Sequence, residues 1–139
     1  MKDIILNACE AAPAIFGKTP VKFAYIYGSY AQGVSHRFSD MDIGVFVESA
    51  DIKKGLDIEL SLAVQFDEAF NHKVQSEVRI LNQLPLSVVG SILLDAVSIY
   101  SRDEELRTNF ETNVRKAYFD FLPVIHLHRK ACRDRNTAG

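Results

Sequence analysis

The sequence predicts an α/β fold, a small mixed sheet flanked by helices. Three observations predict it. Two apolar runs, residues 23–27 and 43–47, bracket a segment rich in small and polar residues. Each run has the length of an ordinary strand. A third stretch alternates: Val74, Ser76, Val78 and Ile80 interleave with Gln75, Glu77, Arg79 and Leu81. That is the period of a strand with one buried face. Around these runs, apolar residues recur at helical spacing.

Taken in order, residues near 2–16 read as a helix, and Pro20 lies in the link to a first strand over about 22–27. A second strand covers about 41–47. Ser49 and Asp51 are candidate caps for a helix reaching about Phe70. Its apolar face would carry Leu56, Leu60, Ala63, Val64 and Phe70. A third strand runs over about 73–81. Pro85 opens a short helix to about Leu94, a favoured place for proline. Val97 to Tyr100 extends the sheet as a short strand. Ser101-Arg-Asp-Glu104 has the form of a capping box. The helix after it presents Leu106, Phe110, Val114, Ala117 and Phe121 on one face, and Pro123 kinks or ends it. Residues 1–139 read as a single domain with a C-terminal helical segment from about 102.

Composition narrows the function classes. A chain of 139 residues, 47% hydrophobic and 24% charged, can bury a proper core. A net charge of −2 gives no bulk attraction for nucleic acid, so direct nucleic-acid binding is not expected. The longest apolar stretches are too short to span a bilayer. Asp3 and Glu10 interrupt the N-terminus, which does not read as a secretory signal. Cys9 and Cys132 lack metal-type spacing, and two free thiols in a reducing cytoplasm are the simpler reading.

The chemistry lies between the first two strands. Gly28-Ser29 follows the first apolar run; ten residues later come Asp40 and Asp42. Glycine at 28 removes a Cβ and permits unusual dihedrals where an anion must approach backbone. Ser29 offers a hydroxyl and N–H groups near a helix start, a favourable place for phosphate oxygens. Asp40 and Asp42 are two apart on a strand, so both carboxylates point to one face, and Met41 and Ile43 turn to the core. Paired carboxylates beside a phosphate-binding turn suit Mg²⁺, which favours carboxylate, phosphate and water oxygens. The arrangement suits holding a nucleoside triphosphate through metal ions.

Gly-Ser-x10-Asp-x-Asp resembles the nucleotidyltransferase superfamily that includes DNA polymerase beta. The short length, Gly28-Ser-Tyr-Ala-Gln-Gly33 and Arg37-Phe-Ser-Asp-Met-Asp42 resemble, more narrowly, the minimal nucleotidyltransferases (MNT), the small antitoxins paired with HEPN-domain toxins. The resemblance implies a polymerase beta-like nucleotidyltransferase fold. It implies a third carboxylate from a later strand. Leu81-Asn82-Gln-Leu-Pro85 anchors the alignment, and Glu77 falls where the family usually has aspartate. It further implies an antitoxin that moves AMP from ATP to a tyrosine of a HEPN RNase. Asp40, Asp42 and Glu77 would hold Mg²⁺, two ions in expectation, and Gly28 and Ser29 would bind the nucleotide. The implied partners are a HEPN-family toxin and ATP, in the cytoplasm, with no membrane.

Plainer readings stand beside these. Gly28-Ser29 is also an ordinary turn pair, and Asp40 also a loop terminus. Glu77 is also a plain exposed strand residue. Arg79 shares its face and is its salt-bridge partner or a phosphate contact; Arg37 is a solvated loop charge. The basic segment His126 to Arg135 is a solvated helix end suited to the helix dipole, or a partner-facing tail. His126 and His128, two apart, would not share a helical face. Two other functions fit the motif: an antitoxin that neutralises by binding alone, and a small-molecule, aminoglycoside-type nucleotidyltransferase. The latter usually carries an added substrate domain for which this chain has little room.

Overall fold

The computed structural model describes residues 2–33, 40–48 and 52–138. Arg37 and the candidate caps Ser49 and Asp51 lie outside the described residues, as do the side chains at 124–129 and 131–139, which include His126, His128 and Cys132. In chain order the elements are α1 (Lys2–Phe16), β1 (Val21–Tyr27), α2 (Ser29–Gln32), β2 (Met41–Val47) and α3 (Ile52–Ala69). Then come β3 (Ser76–Ile80), a 3-10 turn (Leu81–Gln83), α4 (Leu86–Asp95), β4 (Val97–Ser101) and α5 (Glu104–Ala138). Among the described residues no helix is long and apolar enough to cross a membrane.

The strands form one mixed sheet in the order β3-β2-β1-β4. β1 runs antiparallel to β2 and β4, while β2 and β3 are parallel. A parallel pair needs a long crossover, and α3 supplies it. One sheet face, with Ala24, Ile26, Met41, Ile43, Val45, Val78 and Ile80, packs on α1 and α3 through Phe16, Leu62 and Phe66. The other face packs Phe23 and Tyr25 with Val89, Ile92 and Leu93 of α4, and with Leu106, Phe110 and Val114 of α5. Phe23 stacks on Phe46 with centroids 4.7 Å apart, and both meet Phe110. Phe23, fully buried, stabilises the fold by about 1.5–3 kcal/mol relative to exposure.

The motif Leu81-Asn82-Gln-Leu-Pro85 has a structural cause. Leu81 fills the space above Gly44, where a Cβ would come within 2.6 Å of its Cδ2. Asn82 extends the pairing of β2: its Oδ1 accepts from the Val47 N–H at 3.2 Å, and its Nδ2 donates to the Val47 carbonyl at 2.7 Å. On α5, Glu111 accepts from the Tyr25 hydroxyl at 2.6 Å and from Arg107 at 2.8 Å, tying that helix to β1. Burial and the Glu111 carboxylate hold the Tyr25 phenol well above its ordinary range. Gly90 lets α4 and α5 meet closely: a Cβ there would stand 2.1 Å from Cδ2 of buried Tyr118.

Several expectations need correction. Leu56, Leu60 and Val64 are exposed, and α3 instead buries Gly55, Leu62 and Phe66. The helix is rotated so that Glu59 and Asp67 meet the edge strand. Their carboxylates accept the Ile80 and Ser76 N–H groups at 2.9 and 2.7 Å. Ala63 and Phe70 do pack on the core, half-buried. β3 begins only at Ser76, because Asn71 and His72 adopt positive φ values of 54° and 59° and hold the chain in a turn. The cap of α5 is Asp103, whose Oδ1 accepts the Leu106 N–H at 3.0 Å; Ser101 belongs to β4. Pro85 stands at the N-cap of α4 and not inside it. Phe121 is exposed, Tyr118 being the buried ring, and α5 continues past Pro123.

Candidate active site

The end of β1 and the start of β2 make the site. β1 ends at Tyr27, and Gly28 turns the chain with φ 75° and ψ −151°, a region open essentially to glycine. Ser29 begins the single turn of α2, and Gly28 provides it no side-chain cap. Gly33 closes the turn in the left-handed conformation. Ser29 is half-buried.

Asp42 pairs with Tyr27 across the antiparallel ladder and with Glu77 across the parallel one. Paired residues share a face. Tyr27, Asp42 and Glu77 therefore form one row across three strands, and Arg79 lies two residues beyond Glu77 on that face. Met41 and Ile43, opposite, are fully buried, as the alternation requires. The Asp42 carboxylate lies against Gly28. Asp40 is exposed at the residue before β2, and Glu77 is exposed on β3.

The electrostatics are those of crowded acids. Burial raises the Asp42 carboxyl above its ordinary value; Glu77 and then Asp40 raise it further, while Arg79 opposes them. Burial also raises the Tyr27 phenol, with Asp42 adding to the rise and Arg79 lowering it. Arg79 thus serves Asp42 and Tyr27; among the described residues it makes no ion pair with Glu77. Beside the acids, a cavity of about 250 Å³ opens between α2 and α4, lined by Tyr27, Gly28, Gln32, Ser91, Ile92 and Asp95. Gln32 Nε2 donates to Asp95 Oδ2 at 3.1 Å across it.

Among the described residues no three His, Cys, Asp or Glu side chains form a group that could hold a metal ion as they stand. The donor set nevertheless suits Mg²⁺. This ion commonly takes only one or two carboxylates and completes its shell with substrate phosphates and water. Mutual repulsion of Asp40, Asp42 and Glu77 is the condition that a cation relieves.

A family model described as "Polymerase beta, Nucleotidyltransferase" matches residues 12–105, more than half of the chain. The chain belongs to the polymerase beta nucleotidyltransferase family. The match spans Gly28, Ser29, Asp40, Asp42 and Glu77. Comparison with curated protein sequences yields no match. The fold is similar to that of several solved toxin–antitoxin structures. One is a toxin–antitoxin structure with AMP-PNP, at TM-score 0.68 and 16% identity, covering 93% of this chain and 98% of that one. Another is a tri-AMPylated Shewanella oneidensis HEPN toxin in complex with MNT antitoxin, at TM-score 0.64 and 15% identity, covering 95% and 97%. A third is a MntA–HepT toxin–antitoxin structure, at TM-score 0.63 and 13% identity, covering 95% and 97%.

Within this nucleotidyltransferase fold, Gly28, Asp42 and Glu77 come together directly, and Asp40 stands near enough to act on Asp42. Two neighbours were not legible as site residues. Tyr27 reads in the sequence as the last residue of an apolar run. Only its register opposite Asp42 places it on the acid face, and its even spacing from Phe23 and Tyr25 was the available signal. Asp95 reads as a helix end, and nothing in its neighbourhood points to α2.

Proposed function

We propose that the chain is an antitoxin nucleotidyltransferase that moves AMP from ATP to a tyrosine of a HEPN-family toxin and so neutralises it. The observation that carries the reading is the Asp42 carboxylate, set against the Gly28 turn and level with Glu77 on the adjoining strand. Phosphate-binding backbone and carboxylates thereby share one small site. The similar solved structures include a toxin–antitoxin structure with AMP-PNP and an AMPylated HEPN toxin, which supports both the nucleotide and the partner.

In this reading the Gly28-Ser29 turn receives the triphosphate, where Ser29 hydroxyl and backbone N–H groups meet phosphate oxygens. Asp40, Asp42 and Glu77 would hold Mg²⁺, with Glu77 on the acceptor side. When bound, the metal would supply neutralisation of the charge that builds up during transfer. The acceptor phenol oxygen attacks the α-phosphorus in line. The bond from that phosphorus to the α–β bridging oxygen breaks, and pyrophosphate departs. The phenolic proton leaves on the Glu77 side for solvent. Positioning and fixed charge supply most of the rate.

The test uses the purified chain, a purified HEPN-family protein and ATP labelled at the α-phosphate. Label on a partner tyrosine, with release of pyrophosphate, is the expected result. Neutralisation of the RNase with no label transferred would leave a binding-only antitoxin in its place.

A further inference from the structure

We propose that the outer face of α3 is a dimer interface, covered by the same helix of a second copy running antiparallel to it. The proposal concerns an interaction surface and goes beyond the reaction. α3 packs on the sheet through Leu62 and Phe66. On its other side Leu56, Leu60 and Val64 are 58%, 58% and 54% exposed. They stand four residues apart, so they form one continuous row along the helix, about 12 Å from first to last. A helix with one buried stripe ordinarily turns polar and charged residues to water. Three large aliphatic groups in a row on that face make a patch, where single scattered ones would need no explanation.

The charges along α3 select a second copy as the occupant. The first turn of the helix holds no acidic residue and the last no basic one. Lys54 stands near the N-terminus and Glu68 near the C-terminus, both exposed. That is the reverse of what the helix dipole favours. An antiparallel neighbour of the same sequence corrects it at both ends. A two-fold axis at Leu60, near the middle of Ile52–Ala69, sets Leu60 against itself and Leu56 against Val64. Lys54 and Glu68 project to one flank of the row, and the axis carries that flank onto itself. Each Lys54 then falls about 3 Å out of level with Glu68 of the other copy, within reach of its long side chain. Two interchain ion pairs result. Neither group makes an ion pair in its own chain among the described residues. Asp57, on the same flank, falls opposite Ser61 and not opposite an acid. The pairing also leaves the acid row open. α3 lies against the sheet face of Met41 and Ile43, and Asp42 and Glu77 belong to the other face. A molecule that approaches the acids therefore does not cover α3.

The test follows the mass of the purified chain by sedimentation through the micromolar range. Wild type should pass from the 15.6 kDa chain to twice that mass as concentration rises. Leu60→Glu, which sets two like charges at the axis, should sediment as the single chain throughout. Lys54→Glu should weaken the dimer by roughly fivefold, since acids then meet at both ends. Glu68→Lys should do the same with two cations. The double variant Lys54→Glu with Glu68→Lys exchanges the charges and should return the dimer to within about twofold of wild type. Thermal melts establish that each variant is folded. A single chain at every concentration of wild type overturns the dimer. An undiminished dimer in Leu60→Glu, or a charge exchange that restores nothing, overturns the antiparallel α3 contact. A wild-type single chain that binds a purified HEPN-family protein, with binding lost in Leu60→Glu, assigns the row to that protein and overturns the proposal. None of these readouts depends on AMP transfer, so the dimer and the proposed reaction stand or fall separately.

Discussion

The carboxylate of Asp42 occupies the space that a side chain at residue 28 would need. A Cβ built on Gly28 would stand 2.5 Å from Asp42 Oδ2. Gly28 also holds a dihedral pair that other residues adopt only under strain of roughly 1–3 kcal/mol. Gly28→Ala should therefore fail twice. It should lose stability by about that amount in denaturant titration, and it should displace Asp42 and abolish AMP transfer. Full transfer by a folded Gly28→Ala chain would show that the site does not depend on this contact.

Asp42 should carry a stability cost at neutral pH. Its folded value is raised by burial first, then by Glu77 and Asp40. A raised acid is most favourable to folding while it keeps its proton, and that contribution disappears as pH climbs through the folded value. Asp42→Asn should accordingly melt above wild type at pH 7. The margin should close as pH falls toward the ordinary carboxylate range. The same variant should transfer no AMP at ordinary Mg²⁺. A melting temperature below wild type at pH 7 would contradict the crowding of acids described here.

Glu77→Gln should separate binding from transfer. Asp40 and Asp42 remain to meet the triphosphate, so nucleotide affinity should change little. The acceptor side loses its charge, so AMP transfer should fall by at least tenfold. Glu77→Asp should retain much of the activity, since it keeps the charge on a shorter arm. Transfer at the wild-type rate by Glu77→Gln would make this residue a plain surface glutamate.

Asn82→Ala should destabilise without touching the chemistry. The side-chain amide makes two hydrogen bonds to the Val47 backbone, at 3.2 and 2.7 Å. Their combined net worth is about 1–3 kcal/mol. Chemical denaturation should register that loss, with catalytic constants of the folded fraction unchanged. No change in stability would mean that water replaces the amide fully.

The strands that build the acid row were legible because their faces differ. Met41 and Ile43 are fully buried while Asp42 is half-buried on the opposite face, and a period of two cannot hide that contrast. Gly28 was legible because its conformation excludes other residues. The orientation of α3 was not. Leu56, Leu60 and Val64 outweigh Leu62 and Phe66 by count of apolar groups, yet the helix turns to bring Glu59 and Asp67 to the β3 backbone. Hydropathy cannot register a carboxylate serving a strand edge. The cap of α5 was misplaced by two residues because Ser101 and Asp103 are both good caps, and only the length of β4 chooses between them. The groups that meet across α2 and α4 are 63 positions apart, and no local pattern connects them.

The notch at Gly90 ties two distant positions into a single unit of sequence change. Any side chain at 90 would collide with the Tyr118 ring, whose Cδ2, Cγ and Cβ all lie within 2.7 Å of the point where its Cβ would stand. Removing the ring is not enough, because any residue but glycine at 118 keeps a Cβ 2.7 Å from that point. A larger residue at 90 therefore requires α4 and α5 to stand further apart as well. Among homologous chains, alanine or larger at the first position should travel with a smaller residue at the second and with a wider gap between the two helices.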